Sequence, residues 1–191
     1  MVIGLCGGSG SGKSYLAAIA ASVGAVVIDA DHLAKQMMQP GETLYQKVSA
    51  AFDVLQEDGQ IDRQKLANIV FADKEKLQLL DRLTHDEITK QIAVMIHGMA
   101  DAKCIIIDAA ALLGSGIEAL CDDIVGVTAP YEVRLQRIMK RDGITEAQAR
   151  LRMDAQTDLI KGVEALPCVV TNKQEFIKLL KDWGIDCESK S

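Results

Sequence analysis

Two rhythms of apolar residues run along this chain. Short unbroken apolar runs at Val2–Cys6 (VIGLC), 25–29 (AVVID), 103–108 (KCIIID), 122–127 (DDIVGV) and 167–171 (PCVVT) read as strands covered on both faces, since they show no polar side. Elsewhere apolar residues recur every three or four positions, the stripe of a helix with one buried face. That rhythm predicts helices over 15–22, 32–38, 130–142, from 145 onward and over 173–182. Gly24 and Gly143 stand where a helix end needs the left-handed backbone, and Thr145 with Gln148, like Asn172 with Glu175, reads as an N-terminal cap. From Thr43 to Ala102 there is no buried strand, only helical pattern broken at Pro40-Gly41 and Asp58-Gly59. There Leu83, Ile88, Ile92, Met95, Ile96 and Met99 keep helical spacing, and Thr84 to Glu87 has the form of a capping box opening that helix. Strands alternating with helices predict one α/β domain around a five-stranded parallel sheet. Its core would be residues 1–39, 103–129 and 165–184, with a helical insertion over 40–102 and a small helical lid over 130–164.

Between the first strand and first helix lies Gly7-Gly8-Ser9-Gly10-Ser11-Gly12-Lys13-Ser14, which fits the phosphate-binding loop G-x-x-x-x-G-K-S/T at every fixed position. Glycines let the backbone approach an anion, the loop amides and the helix N-terminus then face it, and a flexible linker would need neither Lys13-Ser14 nor the flanking elements. The fold expected is therefore the P-loop NTPase, three layers in α/β/α order. Asp29 and Asp31 end the second strand, where open α/β sheets build their ligand crevice. Asp31 has a plainer reading as the cap of the next helix. Asp108 closes the third apolar run in the Walker B manner, a carboxylate for Mg²⁺ or its waters. Arg134, Arg137 and Arg141 share a helix face, with Arg150 and Arg152 on the next helix; they read as a lid that neutralises phosphate charge, or as a solvated basic surface paired with the surplus acids. Asn172 to Glu175 resembles a guanine-reading motif, but its last residue is Glu and no D-x-x-G follows Asp108, which argues against a GTPase.

With 191 residues and a net charge of −6, the chain is long enough for a full core and lacks the basic excess of nucleic-acid carriers or membrane-surface proteins. Its five cysteines (Cys6, Cys104, Cys121, Cys168, Cys187) are scattered without CxxC or zinc spacing, as expected of reduced thiols in the cytoplasm, and no apolar run approaches a membrane span. The chain enters its first strand directly, without the features of an export signal.

Taken together these residues resemble the dephospho-CoA kinase family over nearly the whole length. The glycine loop led in by Ile3-Gly4-Leu5, Gly24-Ala25, the D-A-D of Asp29-Ala30-Asp31, Asp58 to Arg63, Ile69-Val70-Phe71, and Arg141-Asp142-Gly143 with Arg152 and Gln156 carry the resemblance. It departs at Tyr15, where the family has Ser/Thr; at Asp86, where it has Pro after His85; at Ala110 to Gly114, against P-L-L-F-E; and at Asp158, against the Pro of Q-x-P. The resemblance implies transfer of the γ-phosphoryl of ATP, with Mg²⁺, to the ribose 3′-hydroxyl of dephospho-CoA. On that basis Gly8, Ser9, Gly10, Ser11, Gly12, Lys13, Ser14, Tyr15 and Arg152 are expected to bind the nucleotide, and Ser14 and Asp108 the metal. Asp29, Asp31, His85 and Asp108 are expected on the acceptor side, and Asp31, Lys13, Arg137 and Arg141 in catalysis. The partners implied are these small molecules, with no nucleic acid or membrane, for a monomer or weak homo-oligomer. Two other readings stay open: another small P-loop nucleoside, nucleotide or metabolite kinase, and a non-catalytic nucleotide-binding paralogue.

Overall fold

The computed structural model describes residues 1–185; Cys187 and the polar tail lie outside the described residues. The described chain divides into two compact units, residues 1–29 with those from 99 onward, and residues 30–98.

The first unit is built on five strands: β1 (Val2–Cys6), β2 (Val26–Asp29), β3 (Ile105–Asp108), β4 (Asp123–Val127) and β5 (Val169–Val170). They pair in the order β2-β3-β1-β4-β5, every pair parallel. Alternate residues Ile3, Leu5, Ile106, Val125, Val127 and Val170 form one core with Leu16, Ala17 and Ala20 of α1 (Lys13–Ser22) and Phe176 and Leu180 of α9 (Lys173–Asp182). Fully buried side chains such as Ile3, Leu5 and Ile106 each contribute about 1.5–3 kcal/mol relative to exposure. On the opposite sheet face two positions are approached so closely that a side chain would not fit. A Cβ on Gly4 would lie 2.6 Å from Leu112 Cδ1, and one on Gly126 would lie 2.8 Å from the Val163 carbonyl oxygen. Val163 belongs to α8 (Thr157–Glu164), which follows α6 (Tyr131–Asp142) and α7 (Glu146–Asp154). Leu135 and Ile138 of α6 pack on Ala149 and Met153 of α7.

The second unit is helical, comprising α2 (Ala30–Met37), α3 (Thr43–Ala51), α4 (Arg63–Phe71) and α5 (Lys74–Gly98), with α5 packed against the other three. Leu44, Val48, Leu66, Val70, Ile88 and Ile92 are buried here. Asp62 caps α4 by accepting from Lys65 N–H at 2.9 Å, after a turn in which Gly59 takes φ 79°.

Two local readings are corrected. The capping box at Thr84 does not open a helix, because α5 runs unbroken through it; no Gly or Pro interrupts 74–97, and Asp73 caps the true start by accepting from Glu75 N–H. Glu87 instead accepts from Lys47 and Lys90, and hydrogen bonding to Lys47 holds its carboxyl below the usual range despite its burial. Asp31 lies in the first turn of α2, not before it, since β2 passes into that helix with no intervening residue. An acid there still favours the helix dipole.

Candidate active site

The loop leaves the C-terminal end of β1 and turns into α1 at Gly12, which takes φ 109°. Helix α1 has no side-chain cap and no acidic residue in its first turn. The N–H groups of Gly10, Gly12, Lys13, Ser14 and Tyr15 donate no hydrogen bond among the described residues. Orphan donors at a helix start need an external acceptor, and the dipole makes that acceptor an anion.

Parallel register sets acids beside this opening. Asp108 pairs in register with Leu5 of β1 and with Asp29 of β2, so both carboxylates end strands next to the loop's root. Asp108 is buried; it accepts from Ser14 Oγ at 2.9 Å and lies 3.6 Å from Lys13 Nζ. Ser14 and Asp108 thus place two hard oxygens together at the foot of the cradle. That donor set fits Mg²⁺, which takes one or two protein oxygens and completes its shell with water and phosphate.

The lid helices hold the outside of the loop. Arg134 Nε donates to the Ser9 carbonyl at 3.0 Å, and Arg137 Nη1 donates to the carbonyls of Gly10 and Ser11. Gln156 Oε1 accepts from Ser9 N–H at 2.8 Å. The packing is tight enough to explain two glycines. A Cβ on Gly10, already at φ 76°, would lie 2.6 Å from the Arg134 carbonyl oxygen, and one on Gly8 would lie 2.8 Å from Arg134 Nη2. Arg134 is 5% exposed, and its Nη2 is buried without a partner among the described residues. Burial pushes its pKa below the ordinary arginine value, with Glu164 and Tyr131 opposing.

The structure therefore brings Gly8, Ser9, Gly10, Ser11, Gly12, Lys13, Ser14, Asp29, Asp108 and Arg137 into one neighbourhood. Tyr15 is in the first turn of α1 with its side chain exposed. Arg141 and Arg152 both engage Asp142, at 2.7 Å each, and Arg141 holds that carboxyl below the usual range. Asp31 and His85 belong to the helical unit, Asp31 exposed on α2 and His85 half-buried on α5. Arg134, expected only as part of the lid's basic face, and Gln156, named only in the family resemblance, are loop contacts that were not among the expected site residues. Cys6 beside the loop is wholly buried, and burial raises its thiol pKa to about 11, so it packs as a small hydrophobe.

The family model described as dephospho-CoA kinase matches residues 1–177. The chain belongs to the dephospho-CoA kinase family. Among its relatives is the dephospho-CoA kinase of Carboxydothermus hydrogenoformans, 36% identical over an alignment covering 95% of this chain and 94% of that one. Among solved structures, a Thermus thermophilus protein superposes with a TM-score of 0.78 at 28% identity, covering 96% of this chain and 95% of its own. The dephospho-CoA kinase of Campylobacter jejuni superposes with a TM-score of 0.65 at 25% identity, covering 95% and 96%. The five-stranded parallel sheet with helices on both faces is thus that of a P-loop kinase, as the glycine loop predicted. No helix among the described residues is long and apolar enough to cross a membrane.

Proposed function

We propose that this protein transfers the γ-phosphoryl group of ATP to the ribose 3′-hydroxyl of dephospho-CoA, giving coenzyme A and ADP. The observation that carries this reading is the row of undonated amides opening α1, set beside Lys13 and the Ser14–Asp108 pair. Phosphoryl transfer needs positioning and charge stabilisation more than covalent chemistry, and that is what such an array supplies. The amides of Gly10, Gly12, Lys13 and Ser14 and the Lys13 ammonium take the β- and γ-phosphates. Ser14 and Asp108 hold Mg²⁺, which when bound neutralises charge on the phosphates. Lys13 then exchanges the Asp108 carboxylate for phosphate oxygens. Arg137 backs the loop, and Arg141 and Arg152 supply further positive charge from the lid.

On the acceptor side, the hydroxyl oxygen bonds to the γ-phosphorus as the bond to the ADP oxygen breaks, and the hydroxyl proton passes to Asp31. Asp29 supports that acid and His85 contacts the acceptor; these assignments rest on the family's D-A-D and on the position of the insertion histidine. The same reading places the enzyme in the cytoplasm, working on small molecules as a monomer or weak homo-oligomer. An ADP-release assay with and without dephospho-CoA tests it. Release that depends on dephospho-CoA, with coenzyme A formed in equal amount, is expected. Tight ATP binding with no acceptor-dependent release, or a preference for another alcohol in an acceptor panel, would overturn it.

A further inference from the structure

Both backbone polar groups of Ser9 are held by side chains from the lid helices: its carbonyl by Arg134 Nε and its N–H by Gln156 Oε1. Yet Arg134 Nη2, buried in the same place, has no acceptor among the described residues. The two unequal partners meet over one glycine. The point a Gly8 Cβ would occupy lies 2.8 Å from Arg134 Nη2 and 3.2 Å from Gln156 Oε1. Both groups thus border the same space over Gly8, and a change of glutamine rotamer is what would join them. Among the described residues Gln156 Oε1 accepts from the neutral Ser9 amide alone, while a charged donor beside it goes unmet; hydrogen bonds to charged groups are the stronger kind.

We propose that Gln156 is a hand-off residue for nucleotide binding: when a phosphate oxygen takes the Ser9 N–H, Gln156 Oε1 moves to Arg134 Nη2. The loop amide becomes available without leaving any group unsatisfied, and the orphan guanidinium N–H gains its acceptor. A side chain on Gly8 would fill the space of this exchange, besides meeting Ile160 Cδ1 at 2.6 Å. Arg134 and Gln156 are positioning residues in this account: they act on the loop, and only the loop touches phosphate. The inference rests on the nucleotide-binding part of the function proposed above and is independent of the acceptor.

The sign of one substitution decides it. If Gln156 merely competes with phosphate for Ser9 N–H, Gln156→Ala removes a competitor and ATP binds more tightly. If the hand-off occurs, the wild-type chain gains a charge-assisted bond on binding in place of a neutral one, and Gln156→Ala forfeits that gain. ATP affinity measured by calorimetry should then fall about fivefold, while in an Arg134→Lys background, which lacks the second guanidinium donor, the same substitution should leave affinity unchanged or raise it. Arg134→Gln provides the same background should the lysine variant fail to fold. Tighter or unchanged binding by Gln156→Ala alone, or an equal loss in both backgrounds, overturns the hand-off. Dephospho-CoA turnover separates the two proposals. An overturned hand-off with normal turnover leaves the function standing; nucleotide binding with the expected sign reversal but no turnover leaves the hand-off standing.

Discussion

Replacing Asp108 by Asn should destabilise the free protein, tighten its grip on metal-free ATP and abolish most of its turnover. Asp108 and Lys13 form a pair at 3.6 Å with side chains 8% and 11% exposed. At an effective dielectric of 20, charges at such a distance attract by about 4 kcal/mol. The net loss is smaller, because the carboxylate's own desolvation cost disappears and Asn keeps an oxygen for the Ser14 hydroxyl; about 2 kcal/mol remains. For a chain of this size that corresponds to a fall in Tm of roughly 4–8 °C. In the complex, phosphate replaces the missing carboxylate as the partner of Lys13. The variant therefore loses less in the bound state than in the free state, and recovery of about 1.4 kcal/mol would tighten metal-free ATP binding tenfold. Turnover with Mg²⁺ should move the other way, down by about 10²–10³, as when one oriented stabilising group is removed from an active site. Thermal melts, calorimetry in EDTA and the ADP-release assay read the three effects separately. An unchanged Tm together with weaker metal-free binding would refute the idea that Asp108 holds Lys13 until the nucleotide arrives.

Three further outcomes are expected. Asp31→Asn should lower kcat by about 10²–10⁴ with ATP affinity intact; a wild-type kcat would remove Asp31 as proton acceptor. Gly10→Ala puts a side chain at φ 76° and 2.6 Å from the Arg134 carbonyl oxygen, costing about 1–2 kcal/mol for the backbone alone and pushing α6 off the loop. ATP binding should weaken at least tenfold, and an affinity within about twofold of wild type would contradict the described packing. Glu87 titrates below its ordinary value because Lys47 and Lys90 favour its charged form, so its stabilisation is present above the unfolded pKa and is lost as pH falls through the lower folded value. With both lysines largely exposed, Glu87→Gln should cost about 1 kcal/mol at pH 7 and progressively less as pH falls through that lowered folded value in urea melts; a difference independent of pH would show that the charge is not what matters.

The sheet was legible because its strands are short, apolar on both faces and separated by helices, a combination that only a covered parallel sheet accommodates. The loop was legible because Gly10 and Gly12 take positive φ and because Lys13 and Ser14 have chemical roles fixed by spacing. The length of α5 was not, since a Ser/Thr-x-x-Glu string looks the same at a helix start and in a helix middle. What distinguishes them is whether the preceding residues are also helical, and 74–83 contain no residue that would stop a helix. Arg134 and Gln156 show a different limit. Each contacts Ser9 across more than a hundred residues of chain. Their spacing on α6 and before α8 is ordinary, and only folded packing tells which arginine of a basic face turns inward. Arg134 is buried while Arg137 and Arg141, three and seven residues on, are exposed.

The departures from the family's pattern acquire a physical meaning from the same packing. In the stretch after β3 that replaces P-L-L-F-E, the retained leucine does structural work: Leu112 is wholly buried and fills the space over Gly4, while Leu113, in the place of Phe, faces Gly162 of α8. The replaced positions Ala110, Ala111 and Gly114 are half-buried or exposed. Ala110, Ala111 and Leu113 line a cavity of about 450 Å³ with Gln156, Asp158 and Leu159. The small side chains at its wall leave room there, and they lie outside β1, β3 and the loop those strands support. Asp158, in place of the family's proline, instead enters the first turn of α8, where its charge suits the dipole and proline would also have been tolerated. The losses thus fall where the fold does not need the family's residues, and the groups at the foot of the phosphate cradle, Lys13, Ser14 and Asp108, are all in place. Differences from other dephospho-CoA kinases should accordingly show in KM for the acceptor before they show in nucleotide binding.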